Sequence, residues 1–301
     1  MGQSIGTLFP LWLRLWVSRR LFRPLGYKTY RLSWHRVVKG PCDAPEVEAM
    51  RFIASNTTIP IPRLYAVHVY RRALYIEMEY VPGDTLGLAW DGLSTAARDT
   101  VFADLKEYID RLRRLEPPAE GFVSSAFQNP AYDGRIGCRF FGPCTHDDFH
   151  SLTRGHLRKE DVAPFLGPDV EHTHTTRYRT CFTHADLAPR NIIVREGRVA
   201  AIVDWAYSGW YPEYWEFTKA HYNYVSEDWE EYLRIAMPCY DQELAGERVL
   251  WRRLPEPGTK ASSYREGVRI HRPGSSPPSS WLDHRAECQC ADLWSVTFPE
   301  Q

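Results

Sequence analysis

The sequence predicts an α+β fold, with strand patterns concentrated in the first third of the chain and helical patterns in the rest. Alternating apolar and polar residues occupy short stretches within 27–40 and 63–80, and a single helical pattern lies between them. From Thr95 to Leu115 apolar side chains recur at helical spacing, and helical patterns return after Trp210. The 301 residues suffice for one two-lobed domain or two small ones.

Composition gives no indication of a polyanionic partner or of a disulfide framework. The 37 basic and 38 acidic side chains leave a formal net charge of -1, so we expect no nucleic-acid binding. The seven cysteines are scattered and odd in number, which is typical of reduced thiols in a cytoplasmic protein. Cys288 and Cys290 form a C-x-C pair without a second pair at metal spacing, so we expect no zinc site.

The amino-terminal part contains an apolar run from Leu8 to Val17, interrupted by Arg14 and followed by Arg19, Arg20 and Arg23. The run is too short to span a bilayer, and it lacks the features of a signal peptide. Two interpretations remain, of which we favour a helix packed on the amino-terminal lobe over a helix lying at a membrane interface. We therefore do not expect membrane association.

The most informative stretch lies at 181–210, where two apolar runs at 192–194 and 199–203 flank a polar break containing a glycine. This pattern predicts a tight β-hairpin. Since a hairpin brings its two ends together, Asn191 and Asp204 should lie close in space. An amide and a carboxylate beside a second carboxylate are a ligand set suited to Mg²⁺. The polar residues of the stretch come in a fixed order: His184, Asp186, Asn191 and Asp204.

This order, H-x-D-L-x-x-x-N followed by a hairpin and an aspartate, resembles the catalytic and metal loops of protein-kinase-like enzymes. His184–Asn191 and Ile202–Trp205 are similar to the aminoglycoside phosphotransferase family, and Gly209–Glu216 is similar to its fungal branch of uncharacterised phosphotransferase-like proteins. The family frequently has glycine where this chain has Ala185, and protein kinases have Phe-Gly where Trp205-Ala206 follows the aspartate.

The resemblance implies a protein-kinase-like two-lobed fold. Its small N-lobe would hold an antiparallel sheet and one helix, and its larger C-lobe would be mainly helical. The implied activity is the ATP-dependent, Mg²⁺-assisted transfer of a phosphoryl group to a hydroxyl of a small molecule.

The resemblance also assigns roles to the residues of the large lobe. Asp186 would orient the acceptor hydroxyl or accept its proton, and His184 would brace the loop by hydrogen bonding. Asn191 would belong to the catalytic loop and, together with Asp204, would hold Mg²⁺ against the nucleotide phosphates. Arg190 would add positive charge near the transferred phosphate.

In the small lobe the resemblance assigns Lys39, at the end of an apolar strand, to the nucleotide phosphates. Glu46 lies on the inward face of the helix predicted at 44–56, so it would pair with Lys39, with Glu48 as the fallback. The first strand would carry the glycine-rich nucleotide loop, but only Gly26 is available, which weakens the prediction of phosphate cradling. The interlobe hinge, whose backbone would bind the adenine ring, would be formed by Met78, Glu79, Tyr80 and Val81.

Acidic residues in the large lobe have two interpretations. Asp147 and Asp148 would either hold the acceptor or lie on an ordinary surface, and we favour the second. The same choice, between attracting a cationic acceptor and forming a solvated helix face, applies to the acidic residues after Trp210, and again we favour the second. They are Glu213, Glu216, Glu227, Asp228, Glu230 and Glu231.

We therefore expect an apolar and basic helix at 1–24, an N-lobe at 25–82, a C-lobe at 83–254 with a long ordered loop at 121–143, and a disordered tail at 255–301. Two alternatives to an active enzyme remain, a degenerate nucleotide-binding scaffold and, less favoured, a protein kinase. An aromatic run follows Asp204 where a protein kinase would have its activation segment. The intact set of polar groups favours an active small-molecule kinase: Lys39, Asp186, Asn191 and Asp204.

Overall fold

The chain forms a small lobe with one main sheet and a larger lobe rich in helix, so the predicted α+β class is confirmed. The expected disordered tail at 255–301, with Cys288 and Cys290, lies outside the described residues, as does the start of the predicted amino-terminal run. The computed structural model describes residues 11–22, 25–26, 28–70, 72–136, 139–222 and 227–254.

The small lobe consists of a four-stranded antiparallel sheet, of order β1-β2-β4-β3, and two helices. Its helices and strands are α1 (Leu11–Leu21), β1 (Thr29–Arg31), β2 (Arg36–Cys42), α2 (Ala44–Asn56), β3 (Leu64–Tyr70) and β4 (Ala73–Glu79).

The alternation of side chains along β2 and β4 separates two faces of this sheet. Val37 and Ile76 belong to the core that the inner face shares with α2. Val38 and Glu77 point to the outer face, where Arg14 of α1 donates two hydrogen bonds of 2.8 Å to the Glu77 carboxylate. The two helices therefore lie on opposite faces of one sheet.

Helix α2 has the bounds that its sequence pattern predicts. Asp43 occupies the N-cap position in an extended conformation without a side-chain capping bond, and Pro45 lies in the first turn. Phe52 stacks on Phe182 of the large lobe with ring centroids 5.0 Å apart, which couples the two lobes through this helix. Its buried face repeats at helical spacing: Glu46, Ala49, Met50 and Ile53.

The large lobe contains eight more of the described helices of four residues or longer and nine short strands. The helices are α3 (Leu86–Ala89), α4 (Thr95–Arg113), α5 (His146–Thr153), α6 (Lys159–Leu166), α7 (Pro168–Thr175), α8 (Trp215–Ala220), α9 (Glu227–Ala236) and α10 (Asp241–Arg253), α3 being a single turn. The strands are β5 (Asp84–Thr85), β6 (Phe122–Val123), β7 (Ala131–Asp133), β8 (Arg139–Phe141), β9 (Cys144–Thr145), β10 (Thr180–Thr183), β11 (Ile192–Arg195), β12 (Arg198–Ile202) and β13 (Gly209–Pro212).

Residues 121–143 contain three short strands, so the expectation of a plain long loop was wrong. β6 pairs with β9, and β7 pairs with β8. Strands of two or three residues are too short to show a period in the sequence, and only their partners stabilise them. None of the helices in the described ranges is long and apolar enough to cross a membrane.

Candidate active site

The predicted hairpin is present and brings its two ends together. β11 and β12 pair in antiparallel register, with Ile192 opposite Ile202. Beyond that pair, the Val203 backbone N–H donates to the Asn191 carbonyl at 2.9 Å, which places Asp204 next to the end of the catalytic loop. Asp204 has a left-handed backbone (φ 66°) that turns the chain sharply out of β12.

Asp186, Asn191 and Arg190 form a hydrogen-bonded cluster at the end of the loop. The Asn191 side-chain amide donates to the Asp186 carboxylate at 2.9 Å and to its backbone carbonyl at 2.8 Å. Because Nδ2 serves the carboxylate, Oδ1 is the amide atom that can bind a cation. Arg190 Nη2 lies 2.6 and 2.8 Å from the two Asp186 carboxylate oxygens, so this guanidinium contacts Asp186 directly.

His184 is buried and joins the loop to the hairpin. Its Nε2 lies 3.1 Å from the Val203 carbonyl oxygen, and its Nδ1 accepts a hydrogen bond of 3.2 Å from the Asp186 backbone N–H. The neutral tautomer with the proton on Nε2 satisfies both contacts. Burial lowers the pKa of His184, which favours this neutral form. These contacts connect the loop at 184–191 to the end of β12.

Lys39 lies between carboxylates of the two lobes. Its Nζ is 2.6 Å from Glu46 Oε1 on α2 and 2.7 Å from Asp204 Oδ1 after β12. Burial lowers the pKa of Lys39, but the carboxylates of Glu46 and Asp204 outweigh that effect and raise it above its ordinary value. The ammonium is therefore charged and forms an ionic link between the lobes.

The two acidic partners of Lys39 differ in exposure. The Glu46 side chain is 3% exposed, whereas the Asp204 side chain is 41% exposed. Burial raises the pKa of Glu46, and the ammonium of Lys39 opposes that rise. Glu48, the fallback partner, accepts hydrogen bonds from Ser125 and Asn129 of the large lobe instead, so α2 uses two acidic residues for two different contacts.

Glu216 is the buried acid that the sequence interpretation missed. It is 5% exposed and lies at the start of α8, and its carboxylate accepts backbone hydrogen bonds from His184 at 2.6 Å and Ala185 at 3.3 Å. Burial raises the pKa of Glu216 to about 7, and the two backbone donors oppose the rise. Because it holds the strained turn at Ala185 (φ 60°), Glu216 positions the catalytic loop. No spacing in the sequence connects residues so far apart.

Most other acidic residues after Trp210 have basic partners. Glu213 is bonded to Arg113 and Arg179, the exposed Asp228 lies against Arg98, and the half-buried Glu230 lies against Arg248. The favoured interpretation as a solvated helix face was therefore wrong for Glu213 and Glu216. The side chain of Glu227 is outside the described residues.

The Asp147–Asp148 pair has a local role in the structure. Asp148 forms a capping box with Thr145 at the start of α5, and Asp147 lies 2.9 Å from Lys159. These contacts account for both acids without an acceptor molecule.

The predicted hinge residues Met78, Glu79, Tyr80 and Val81 connect β4 to the large lobe. The backbone N–H groups of Glu79 and Tyr80 donate to the carbonyls of Arg63 at 2.9 Å and His35 at 3.0 Å. Two of the four backbone donors are thus already used within the small lobe.

The small lobe lacks a glycine-rich hairpin in its described part. Lys39 lies on the second strand, whereas protein kinases place this lysine on the third. At the end of the sheet next to Lys39, Thr29 pairs with Lys39, and Gly26 is the one glycine among the described residues before β1. The turn between β1 and β2, Leu32–His35, lies at the opposite end, where the His35 carbonyl accepts a hydrogen bond from the Tyr80 N–H. The prediction of a weak phosphate cradle therefore rests on Gly26 alone.

The donor set fits a magnesium ion bound together with a nucleotide. Among the residues that the structure describes, no three His, Cys, Asp or Glu side chains form a metal-binding group. Mg²⁺ characteristically takes one or two carboxylates and completes its shell with phosphate oxygens and water. Asp204 and the Asn191 amide oxygen are the residues that could hold it.

The comparison with protein families identifies the class of the chain. Residues 44–248 match the model of the phosphotransferase enzyme family, a range that includes Glu46, Asp186, Asn191 and Asp204 but begins after Lys39. The chain therefore belongs to the phosphotransferase enzyme family and is an enzyme that transfers phosphoryl groups to hydroxyls. No curated protein is similar enough in sequence to match it.

Solved structures with a similar fold are aminoglycoside phosphotransferases, which confirms the kinase-like fold. The ADP-bound APH(2'')-Ib has a TM-score of 0.51 at 14% identity, covering 95% of this chain and 97% of the other. The streptomycin–ATP ternary complex of APH(2")-IIa has a TM-score of 0.50 at 17% identity, covering 82% and 83%. A GDP complex of a mutant aminoglycoside 2'-phosphotransferase-IIIa has a TM-score of 0.52 at 14% identity, covering 87% and 89%.

Proposed function

We propose that this phosphotransferase uses Mg²⁺–ATP to phosphorylate a hydroxyl group of a small molecule. The observation that carries the proposal is that Lys39 contacts both Glu46 and Asp204. Asp204 follows one strand of the hairpin β11–β12, and Asn191, which is bonded to Asp186, precedes the other strand. This arrangement joins a cation for phosphate, two oxygen ligands for a metal and a carboxylate for the acceptor in one connected set. The small and large lobes of the proposed enzyme divide near residue 82, since β5 already pairs with β11.

Each side chain then has a role in the transfer. Asp186 receives the proton of the acceptor hydroxyl as the hydroxyl oxygen bonds to the γ-phosphorus and the bond to the bridging oxygen of ADP breaks. Asn191 and Asp204 would hold Mg²⁺, and the ion would supply positive charge for the nucleotide phosphates. Lys39 binds the phosphates, and Glu46 keeps its ammonium in place.

Asp186 must exchange its contact with Arg190 for a contact with the acceptor. The Arg190 side chain is 53% exposed, so it can move aside at small cost. In the structure, the Arg190 guanidinium lies against the Asp186 carboxylate, where the acceptor hydroxyl would otherwise bind. Once displaced, its positive charge remains close to the incoming phosphate.

Similar structures carry ADP, ATP and GDP, so nucleotide binding and turnover are to be measured with both ATP and GTP. We expect Mg²⁺-dependent binding of ATP in calorimetry and turnover on at least one member of a panel of amino alcohols, amines and sugars. Asp186→Asn should lower that turnover by about 10²–10⁴-fold, the usual loss for a catalytic base. The matched control is Asp147→Asn, an exposed acid paired with Lys159, which should leave turnover unchanged.

A second candidate function is a nucleotide-binding scaffold without catalysis. Gly26, the single glycine among the described residues before β1, and the Arg190 contact on Asp186 favour it. A wild type that binds nucleotide but is no more active than Asp186→Asn on any acceptor would establish the scaffold and refute the enzyme. Absence of Mg²⁺–ATP binding would refute both.

A protein kinase has less support from the structure. Only four residues separate Asp204 from β13, which pairs with β10 in the large lobe. This connection is too short for a protein-binding activation segment.

We place the enzyme in the reducing cytoplasm. The four cysteines of the described part are free thiols: Cys42, Cys144, Cys181 and Cys239. Burial raises the pKa of Cys144 to about 12, which keeps this thiol protonated and unreactive.

A further inference from the structure

Exposed apolar side chains are concentrated on one side of the small lobe. Among the described residues, six of the eleven exposed large apolar side chains lie between residues 12 and 34. The three tryptophans are 54%, 55% and 71% exposed. Concentrations of this kind mark interaction surfaces on folded proteins. The six side chains form what we call the α1 face: Trp12, Trp16, Val17, Leu21, Leu25 and Trp34.

The α1 face is not needed to hold helix α1 on the lobe. Leu15 and Ser18 are buried on the opposite side of the helix, where the Ser18 hydroxyl donates to the Arg31 carbonyl. Arg14 forms a two-point ion pair with Glu77, whose pKa stays well below its usual range because His68 and two arginines outweigh its burial. One side of α1 therefore anchors to the protein, and no helix or strand of the described residues covers the other side.

The charge around the α1 face is positive. The first 42 residues contain eight Lys and Arg and no acidic residue, whereas the rest of the chain has 29 basic and 38 acidic residues. Arg14 and Arg36 are bound to Glu77, and Lys39 lies in the active site. Arg19 and Arg20 are exposed on α1, with their guanidinium groups over Tyr30 and Trp16. An occupant of this face must therefore combine apolar surface with negative charge.

Contrary to the expectation from the sequence, we propose that the α1 face docks the enzyme on the surface of an anionic phospholipid bilayer. Tryptophan side chains prefer the headgroup level of a bilayer, where the ring is buried and the indole N–H is hydrated. Val17, Leu21 and Leu25 would reach the acyl boundary, and Arg19 and Arg20 would meet the lipid phosphates. The docking is peripheral, since the helix rests on the lobe and does not span the membrane.

Two other occupants fit the same face less well. A second copy of the chain would bring Arg19 and Arg20 against their own counterparts, and like charges oppose such a contact. A nucleic acid would accept the arginines and the tryptophan rings. It offers no apolar environment for the aliphatic side chains of Val17, Leu21 and Leu25.

Docking through α1 leaves the proposed active site accessible. Glu77 and α1 lie on the outer face of the sheet, whereas Lys39 lies on the inner face with Val37 and Ile76, towards the large lobe. A bilayer on the outer face therefore does not cover the Lys39–Asp204 contact. Substitutions of Trp12, Trp16, Arg19 and Arg20 on α1 should change membrane binding and leave activity on a water-soluble acceptor unchanged.

The test is co-sedimentation of the full chain with vesicles of phosphatidylcholine alone or mixed with phosphatidylserine. We expect binding to the anionic vesicles that weakens as salt is raised. Arg19→Gln with Arg20→Gln should reduce that binding by about 10-fold or more, since each basic side chain at an anionic surface contributes about fivefold. Trp12→Ser with Trp16→Ser should abolish it, while circular dichroism remains that of the wild type.

Matched controls use equally exposed residues elsewhere on the chain. Leu88→Ser with Ile235→Ser removes two exposed apolar side chains, and Arg114→Gln with Arg252→Gln removes two exposed charges. Both control proteins should bind vesicles like the wild type. The proposal is overturned if the wild type does not sediment with anionic vesicles, or if the controls lose as much binding as the α1 variants. It is equally overturned if the tryptophan variants abolish a dimer or RNA binding while vesicle binding persists.

Discussion

Helices α2 and α8 each place one buried glutamate against the candidate active site, yet the two carboxylates work differently. Glu46 of α2 binds an ammonium group, Lys39, at 2.6 Å. Glu216 of α8 binds only backbone N–H groups, those of His184 and Ala185. Burial raises the pKa of both carboxylates; the ammonium of Lys39 opposes the rise at Glu46, and two backbone N–H groups oppose it at Glu216. The small lobe therefore holds Lys39 by an ion pair, and the large lobe holds the loop at 184–191 by hydrogen bonds from its backbone to a buried carboxyl group.

The largest expected effect, on turnover, comes from replacing Lys39, the cation that is bonded to Glu46 of α2. Lys39→Met should lower turnover by about 10²-fold or more, as expected for the loss of a charge aimed at the transferred phosphate. It should also lower the free energy of unfolding by up to about 3 kcal/mol at neutral pH, because Glu46 stays buried without its partner. Turnover assays and urea denaturation measure the two effects.

Lys106→Met is the matched control for this substitution. Lys106 forms an exposed pair with Asp110 at 2.9 Å on α4, so its loss should cost under about 0.5 kcal/mol and leave turnover unchanged. Equal turnover in the two variants would show that Lys39 has no part in phosphate binding.

The second largest expected effect is the pH dependence that Glu216 of α8 gives to the free energy of unfolding. The pKa of Glu216 is about 7 in the folded protein against an ordinary value of 4.5. Between these values the folded state holds a proton that the unfolded state has lost, so the stabilising contribution is full below pH 4.5 and disappears as pH rises through 7. The free energy of unfolding of the wild type, relative to Glu216→Gln, should fall by up to about 1.4 kcal/mol per pH unit over this window.

Glu213→Gln provides a control of opposite sign. Burial raises the pKa of Glu213, but hydrogen bonds from Arg179 and Tyr240 outweigh it and lower the pKa below its ordinary value. Its contribution is therefore present above pH 4.5 and is lost as pH falls below that value. Urea denaturation of the three proteins across pH 4–8 compares the signs, and a flat difference for Glu216→Gln would contradict the raised pKa.

The smallest effect concerns the turn that Glu216 holds. Ala185 has a φ of 60°, a left-handed conformation that costs an L-residue about 1–2 kcal/mol, and glycine adopts it freely. We expect Ala185→Gly to raise the free energy of unfolding by about 1 kcal/mol. Ala188→Gly, at an extended position (φ −148°), should lower it by about 0.5–1 kcal/mol. Thermal denaturation that shifts both variants in the same direction would show that strain at Ala185 is not the cause.

Local patterns predicted α2, the hairpin β11–β12 and the inward direction of Glu46 because helical and strand periods are contained within a few consecutive residues. The motif from His184 to Asp204 named the candidate site for the same reason. The short strands within 121–143 escaped prediction, since two or three residues show no period and depend on partners distant in sequence.

The sequence by itself determined the α+β class, the order of the polar groups and the pairing of a helix glutamate with a strand lysine. The first two follow from residue types at fixed spacing along the chain, whereas the pairing was implied by the resemblance to the aminoglycoside phosphotransferase family. Only the tertiary structure decided that Glu216 bonds the catalytic loop, that Arg190 contacts Asp186, and that the two sides of α1 have different roles. Such choices depend on which surfaces become buried together, and burial is a property of the packed chain that no local spacing specifies.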